Sequence, residues 1–123
     1  MQRALLSIRD RFDRAGIFLS GLCVVHCVLG LVIVSVLGLG GGALLAPAIH
    51  RVGLGLAVVI GVVALGAGFA RHGRSAPLML GALGLSLMAL ALFAEHGLSE
   101  AVLTIGGVGI VAAAHLWNLR GAH

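Results

Sequence analysis

The sequence predicts an all-α protein: an integral membrane bundle of four helices with both termini cytoplasmic. Three observations predict it. Hydrophobic residues make up 60% of the chain and charged residues only 10%, against roughly 25% charged in a soluble domain. No soluble core could hide that much apolar surface, so the bilayer must act as solvent. The apolar residues fall into four runs separated by short polar segments. Twenty glycines against two prolines, placed inside those runs, suit membrane helices whose small residues let backbones approach. The 123 residues make one membrane domain, 1–123.

Residues 1–14 carry Arg3, Arg9, Arg11 and Arg14 against Asp10 and Asp13, with Leu5, Leu6, Ile8 and Phe12 between them. This pattern predicts a short amphipathic helix on the membrane surface, with a frayed basic tail as the alternative. Residues 15–39 are the first span. At 25 residues it exceeds the ~20 that a ~30 Å hydrocarbon core needs. It is also longer than the apolar part of a signal peptide, and no small-residue cleavage site follows it. Gly38 and Gly40 to Gly42 end this span, and Pro47, His50 and Arg51 fall in the next loop.

Residues 52–70 are the second span, in which Ala57, Gly61, Ala64 and Gly68 supply packing faces. Arg71-His72-Gly73-Arg74 is a polar turn. Pro77 opens the third span, 77–94, where its missing N–H costs nothing. Glu95 to Glu100 form a loop, and Ser99 can cap the fourth span, 101–119. Trp117 reads as an interfacial anchor. With the N-terminus inside, the inner segments hold seven of the eight arginines, Arg51 alone lying outside. That asymmetry predicts the orientation. The net charge of +4 does not point to nucleic acid, because the arginines are scattered along short loops rather than gathered in a patch.

The first span holds the chemistry. Gly16, Ser20, Cys23, His26, Cys27 and Gly30 share an arc of roughly 120° on a helical wheel. Cys23, His26 and Cys27 stand at i, i+3 and i+4, so they meet on one face. An ionisable group inside a membrane helix is expensive and marks a functional site by default. Thiolate selects soft metals, and imidazole suits zinc, copper and similar ions. Two sulfurs and one nitrogen leave a four-coordinate shell incomplete, which suits a carrier that must release its ion. The bland alternative is that each cysteine is merely a small hydrophobe.

The fourth span has its own polar stripe of Thr104, Gly107, Val111, His115 and Asn118. His115 and Asn118 are candidates to extend the metal face, with Thr104 and Ser20 as further polar-face residues. Helix–helix hydrogen bonding is the simpler alternative. His50, Glu95, His96 and Glu100 lie on the outer side, where they either draw cations to a mouth or are solvated loop residues. His72 and His123 read as solvent-exposed.

Asp13-Arg14-Ala15-Gly16-Ile17 followed by Ser20-x-x-Cys23-x-x-His26-Cys27, with Thr104-x-Gly106-Gly107 and His115-x-x-Asn118-x-Arg120 near the end, resembles the MerC mercury-resistance family over nearly the whole chain. The resemblance implies a bacterial inner-membrane protein of four helices that takes up mercuric ion, with Cys23 and Cys27 carrying it. The chain departs from the family pattern in two places: Gly30-Leu31 stand where a proline is expected, and no second cysteine pair follows Cys27.

Three functions compete. The first is transport of a transition-metal ion, mercuric by resemblance or else zinc or cuprous, with hand-over to a cytosolic acceptor or action as a homo-oligomer. The second is an electron-transfer subunit with haem held by His26 and His115. Covalent attachment is disfavoured, because it needs C-x-x-C-H and the order here is C-x-x-H-C. The third is a structural subunit without metal. An enzyme is not expected: the four acidic residues sit at ends and loops, where no inward pair of carboxylates forms.

Overall fold

The computed structural model of the chain describes residues 2–37, 47–94 and 98–120. They form four helices, α1 Gln2–Leu37, α2 Pro47–His72, α3 Ala76–Ala91 and α4 Leu98–Arg120, and no strand occurs among the described residues. Among the described residues, three stretches are long and apolar enough to cross a membrane: Ser7–Gly30, Ala48–His72 and Leu98–Arg120.

The helix bounds differ from the sequence reading at four points. α4 begins at Leu98, so Ser99 and Glu100 lie within the helix rather than in a loop, and Ser99 does not cap it. α1 is one helix of 36 residues rather than a surface segment followed by a span. Nothing between Gln2 and Ala15 breaks it, since that stretch has neither glycine nor proline. Pro47, His50 and Arg51 belong to α2 rather than to a loop, because proline is accommodated in a first helical turn. α3 has only 16 residues, about 24 Å of helix at 1.5 Å per residue. Beyond it, Leu92, Phe93 and Ala94 donate to the carbonyls of Ala89, Leu90 and Ala91, the three-residue pattern of a tightened last turn. Gly38, Gly40 to Gly42, Glu95, His96 and His123 lie outside the described residues.

The helices run alternately up and down. A Cβ added to Gly81 would lie 3.7 Å from Ala114, one on Gly84 would lie 2.7 Å from the Gly107 carbonyl, and one on Gly107 would lie 2.8 Å from Met88. The paired numbers fall on one side as they rise on the other, so α3 and α4 are antiparallel and in near-backbone contact. Gly73, at φ 65°, donates its N–H to the Phe69 carbonyl over 2.8 Å and turns the chain from α2 into α3, a left-handed cap that glycine accepts without a steric penalty.

Buried positions recur in steps of three and four. In α3 they are Pro77, Gly81, Gly84, Met88 and Ala91. In α4 the same steps run through Ala101, Thr104, Val108, Val111, His115 and Asn118. In α2, Ala57, Gly61, Ala64 and Gly68 are buried. In α1 the stripe is Arg9, Asp13, Gly16, Ser20, Cys27 and Gly30, with half-buried Cys23 filling its place in the repeat. Such spacing keeps one seam of each helix on its neighbours. The exterior is apolar, with Phe18, Val25, Val62 and Phe93 exposed, whereas the largest fully buried side chains are Arg9, His115, Val108 and Asp13. An apolar coat around a core that also encloses the polar groups is the arrangement that lipid permits.

Candidate metal centre

His26, Cys27 and His50 present ligand atoms that all lie within 4.8 Å of one another. α1 supplies the first two from adjacent positions, and α2 supplies the third from its first turn. Cys27 Sγ lies 4.0 Å from His50 Nε2, and the rings of His26 and His50 meet edge to face with centroids 5.5 Å apart. A single ion bonded to sulfur at ~2.3 Å and nitrogen at ~2.0 Å holds those two atoms roughly 3.6 Å apart at a tetrahedral angle. A small closure of α1 on α2 therefore suffices. His50 Nδ1 faces Glu100 Oε1 of α4 at 3.5 Å. That distance is an ion-pair contact longer than a hydrogen bond, and a carboxylate on the Nδ1 side favours leaving Nε2 to a metal.

His50 is thus part of the interior rather than an outer-loop residue. Pro47 reads as loop punctuation in the sequence, but here it opens the helix that carries His50 inward.

A cavity of about 550 Å³ opens beside this group, lined among others by Cys23, Cys27, His26, His50 and Thr104. Cys23 stands one turn below Cys27, facing α2 where Gly53 leaves it room: a Cβ there would lie 4.0 Å from its Sγ. Thr104 is 4% exposed, and its hydroxyl has no hydrogen-bond partner among the described residues. Threonine in a helix ordinarily bonds back to a carbonyl of the preceding turn, so this hydroxyl is left available to the cavity. Ser20, by contrast, donates to the Gly16 carbonyl over 2.8 Å.

A second polar group lies toward the end of the bundle where α1 begins. His115 Nδ1 donates to Asp13 Oδ1 over 2.7 Å. Asn118 Nδ2 donates to Asp13 Oδ2 over 2.8 Å and to the Ala64 carbonyl over 3.0 Å. The glycines make this possible. A Cβ on Gly16 would lie 2.5 Å from His115 Nε2, and one on Gly68 would overlap the Asn118 amide. One turn further out, Arg9 donates from one terminal nitrogen to His72 Nε2 over 3.2 Å and from the other to Asp10 Oδ1 over 3.1 Å. His72 is solvent-exposed, as the sequence reads it, and its ring also meets Arg9. His26 and His115 line different cavities, so the pair considered for haem is not brought together.

The interior carboxylate is a correction to the sequence reading, which confined every acidic residue to ends and loops. Asp13 is fully buried. The three-and-four stripe of Gly16, Ser20 and Cys23, continued backwards, reaches Asp13 and then Arg9, and that continuation was the available signal. Glu100, which the sequence places on the outer side, meets His50 only through tertiary contact between α2 and α4.

Comparison with known families finds that the model of the MerC mercury resistance protein family matches residues 13–120. No curated protein and no solved structure matches the chain.

Proposed function

Because the chain belongs to the MerC mercury resistance family, a family of multi-pass membrane transport proteins rather than enzymes, we propose that it carries mercuric ion across the bacterial inner membrane. Zinc and cuprous ion are the other cargoes this donor set accepts. The observation that supports the reading best is the convergence of His26, Cys27 and His50 from two helices.

Both termini lie in the cytoplasm, as the arginine distribution requires, and the trio then lies toward the outer face. Cys27 supplies the soft donor, releasing its thiol proton as the metal–sulfur bond forms. His26 and His50 supply nitrogen donors, and Glu100 orients His50. Three protein ligands leave a position open, so the ion departs by ligand exchange rather than by dissociation into lipid. Cys23, on the same cavity, is the next sulfur in its path. A cytosolic thiol acceptor takes the ion at the inner face.

The test is uptake into vesicles carrying the purified chain, with mercuric, zinc and cuprous ions offered separately. Cys27→Ser and His50→Ala should each lower uptake of the preferred ion at least about tenfold, the scale on which lost ligands and their supports act. Equal uptake by the wild type and both variants ends the reading.

A further inference from the structure

We propose that the Thr104 hydroxyl donates a hydrogen bond to the Cys27 sulfur when that sulfur carries the metal ion. The proposal rests on the transport reading above and adds to its capture site a positioning residue from a third helix. Thr104 is 4% exposed. Its hydroxyl oxygen is closed to solvent and has no hydrogen-bond partner among the described residues. A buried hydroxyl left unpaired is costly. Ser20 avoids that cost by bonding to the Gly16 carbonyl one turn back, the common resort of a helical hydroxyl. Thr104 does not, so its partner must come from another helix.

The register of α1 against α4 identifies that partner. Asp13 meets Asn118 and Gly16 meets His115, so α4 descends by three residues as α1 climbs by three. Eleven residues make about three helical turns and return to the same face. Eleven past Gly16 stands Cys27, and eleven before His115 stands Thr104. The neighbours keep the same register: Ser20 falls opposite Val111 and Gly30 opposite Ala101, all of them buried. α2 leads to the same place. His50 lies 4.0 Å from Cys27 Sγ through Nε2 and 3.5 Å from Glu100 through Nδ1, and Glu100 stands one turn before Thr104 on α4. Thr104 also lines the cavity that His26, Cys27 and His50 share.

The bond forms with the ion because the acceptor changes. A thiol sulfur is a weak acceptor, whereas hydrogen bonds to an ionised acceptor are roughly twice as strong as neutral ones. As the ion arrives, the S–H bond of Cys27 breaks, the sulfur–metal bond forms and the proton leaves to water through the cavity. The Thr104 hydroxyl then turns its proton to the sulfur. His26 and His50 bring neutral nitrogens, and Thr104 brings the donor that a buried, negatively charged sulfur requires.

Cadmium serves as the probe, because its bond to a thiolate gives a sulfur-to-metal charge-transfer band in the ultraviolet. The full chain in lipid nanodiscs is titrated with cadmium, as wild type, Thr104→Val and Thr104→Ser, and thermal unfolding is recorded without added metal. Thr104→Val removes an unpaired hydroxyl at nearly constant shape, so unfolding should be unchanged or shifted upward. Its cadmium affinity should fall about 10- to 100-fold, as when a ligand's supporting partner is lost. Its charge-transfer band should move to lower energy, because the sulfur lone pair has lost a stabilising donor. Thr104→Ser should restore both. Wild-type affinity and band position in Thr104→Val overturn the donor and leave the transport reading standing. So does an affinity loss with the band unmoved, or one that serine does not reverse. A clear loss of stability in Thr104→Val also overturns it, since the hydroxyl would then already be bonded within the fold. Absence of any band that depends on Cys27, with cadmium and with mercuric ion alike, ends both readings together.

Discussion

Gly16 has no room for a methyl group. Its Cβ would lie 2.5 Å from His115 Nε2, and His115 cannot retreat without stretching its bond to Asp13. Gly16→Ala should therefore cost about 1–3 kcal/mol, the usual range for overpacking a tight interior. Thermal unfolding in detergent reads this directly. Glu100 works differently, because it acts on the metal only through His50. Glu100→Gln should leave unfolding nearly unchanged while weakening ion capture about tenfold or more, seen in a binding titration at the outer trio. The two glycine and glutamate variants thus separate packing from orientation. A large loss of stability in Glu100→Gln would show that the carboxylate is structural and not a support for His50.

The helices themselves were largely legible, because apolar runs of spanning length leave few alternatives to a helix in lipid. What the sequence concealed lay at helix ends and across helix pairs. Arginine and aspartate within residues 1–14 look like solvated charges, yet Arg9 and Asp13 continue the inward seam of α1. His50 looks like a loop residue, yet α2 starts before it. Cys27 and His26 were placed on one face by spacing alone, whereas the partnership with His50 depends on how α1 leans on α2 and has no local signature. The tightest pairing, α3 on α4, follows from glycines that spacing could only suggest. A Cβ on Gly84 would lie 2.7 Å from the Gly107 carbonyl, and backbone cannot swing aside as a side chain can. Gly84→Ala should destabilise the bundle by about 1–3 kcal/mol. Gly109→Ala is the control: nothing lies within 4 Å of its added Cβ, and alanine is the better helix former by roughly 0.5–1 kcal/mol. Thermal unfolding of the pair in one detergent compares them, and equal behaviour would mean that α3 does not pack on α4 through these glycines.

At the scale of the whole molecule, the polar groups form a line through the bundle. Glu100, His50, His26 and Cys27 stand near one end, and Asp13, Asn118, Arg9 and His72 near the other, with Cys23 on both cavities between. That line serves transport only if its ends open on opposite sides of the membrane and every helix crosses. α3 is the test of this, being about 24 Å long against a ~30 Å core. Its pairing with α4 argues that it crosses, because Gly81 meets Ala114 at one level and Gly107 meets Met88 two turns away, deep within a helix long enough to span. A shortfall of this size is met by local thinning of the bilayer at a modest cost per ångström. Reporter fusions decide the matter. A fluorescent protein that matures only in the cytoplasm should fluoresce when joined at Gly73 and again when joined after His123, while a periplasm-dependent phosphatase should be active between α3 and α4. Activity of the phosphatase after His123, with Gly73 still cytoplasmic, would make α3 a helix that enters and returns. The arginine near each inner turn would then no longer explain the orientation, and the polar line would lose its second opening.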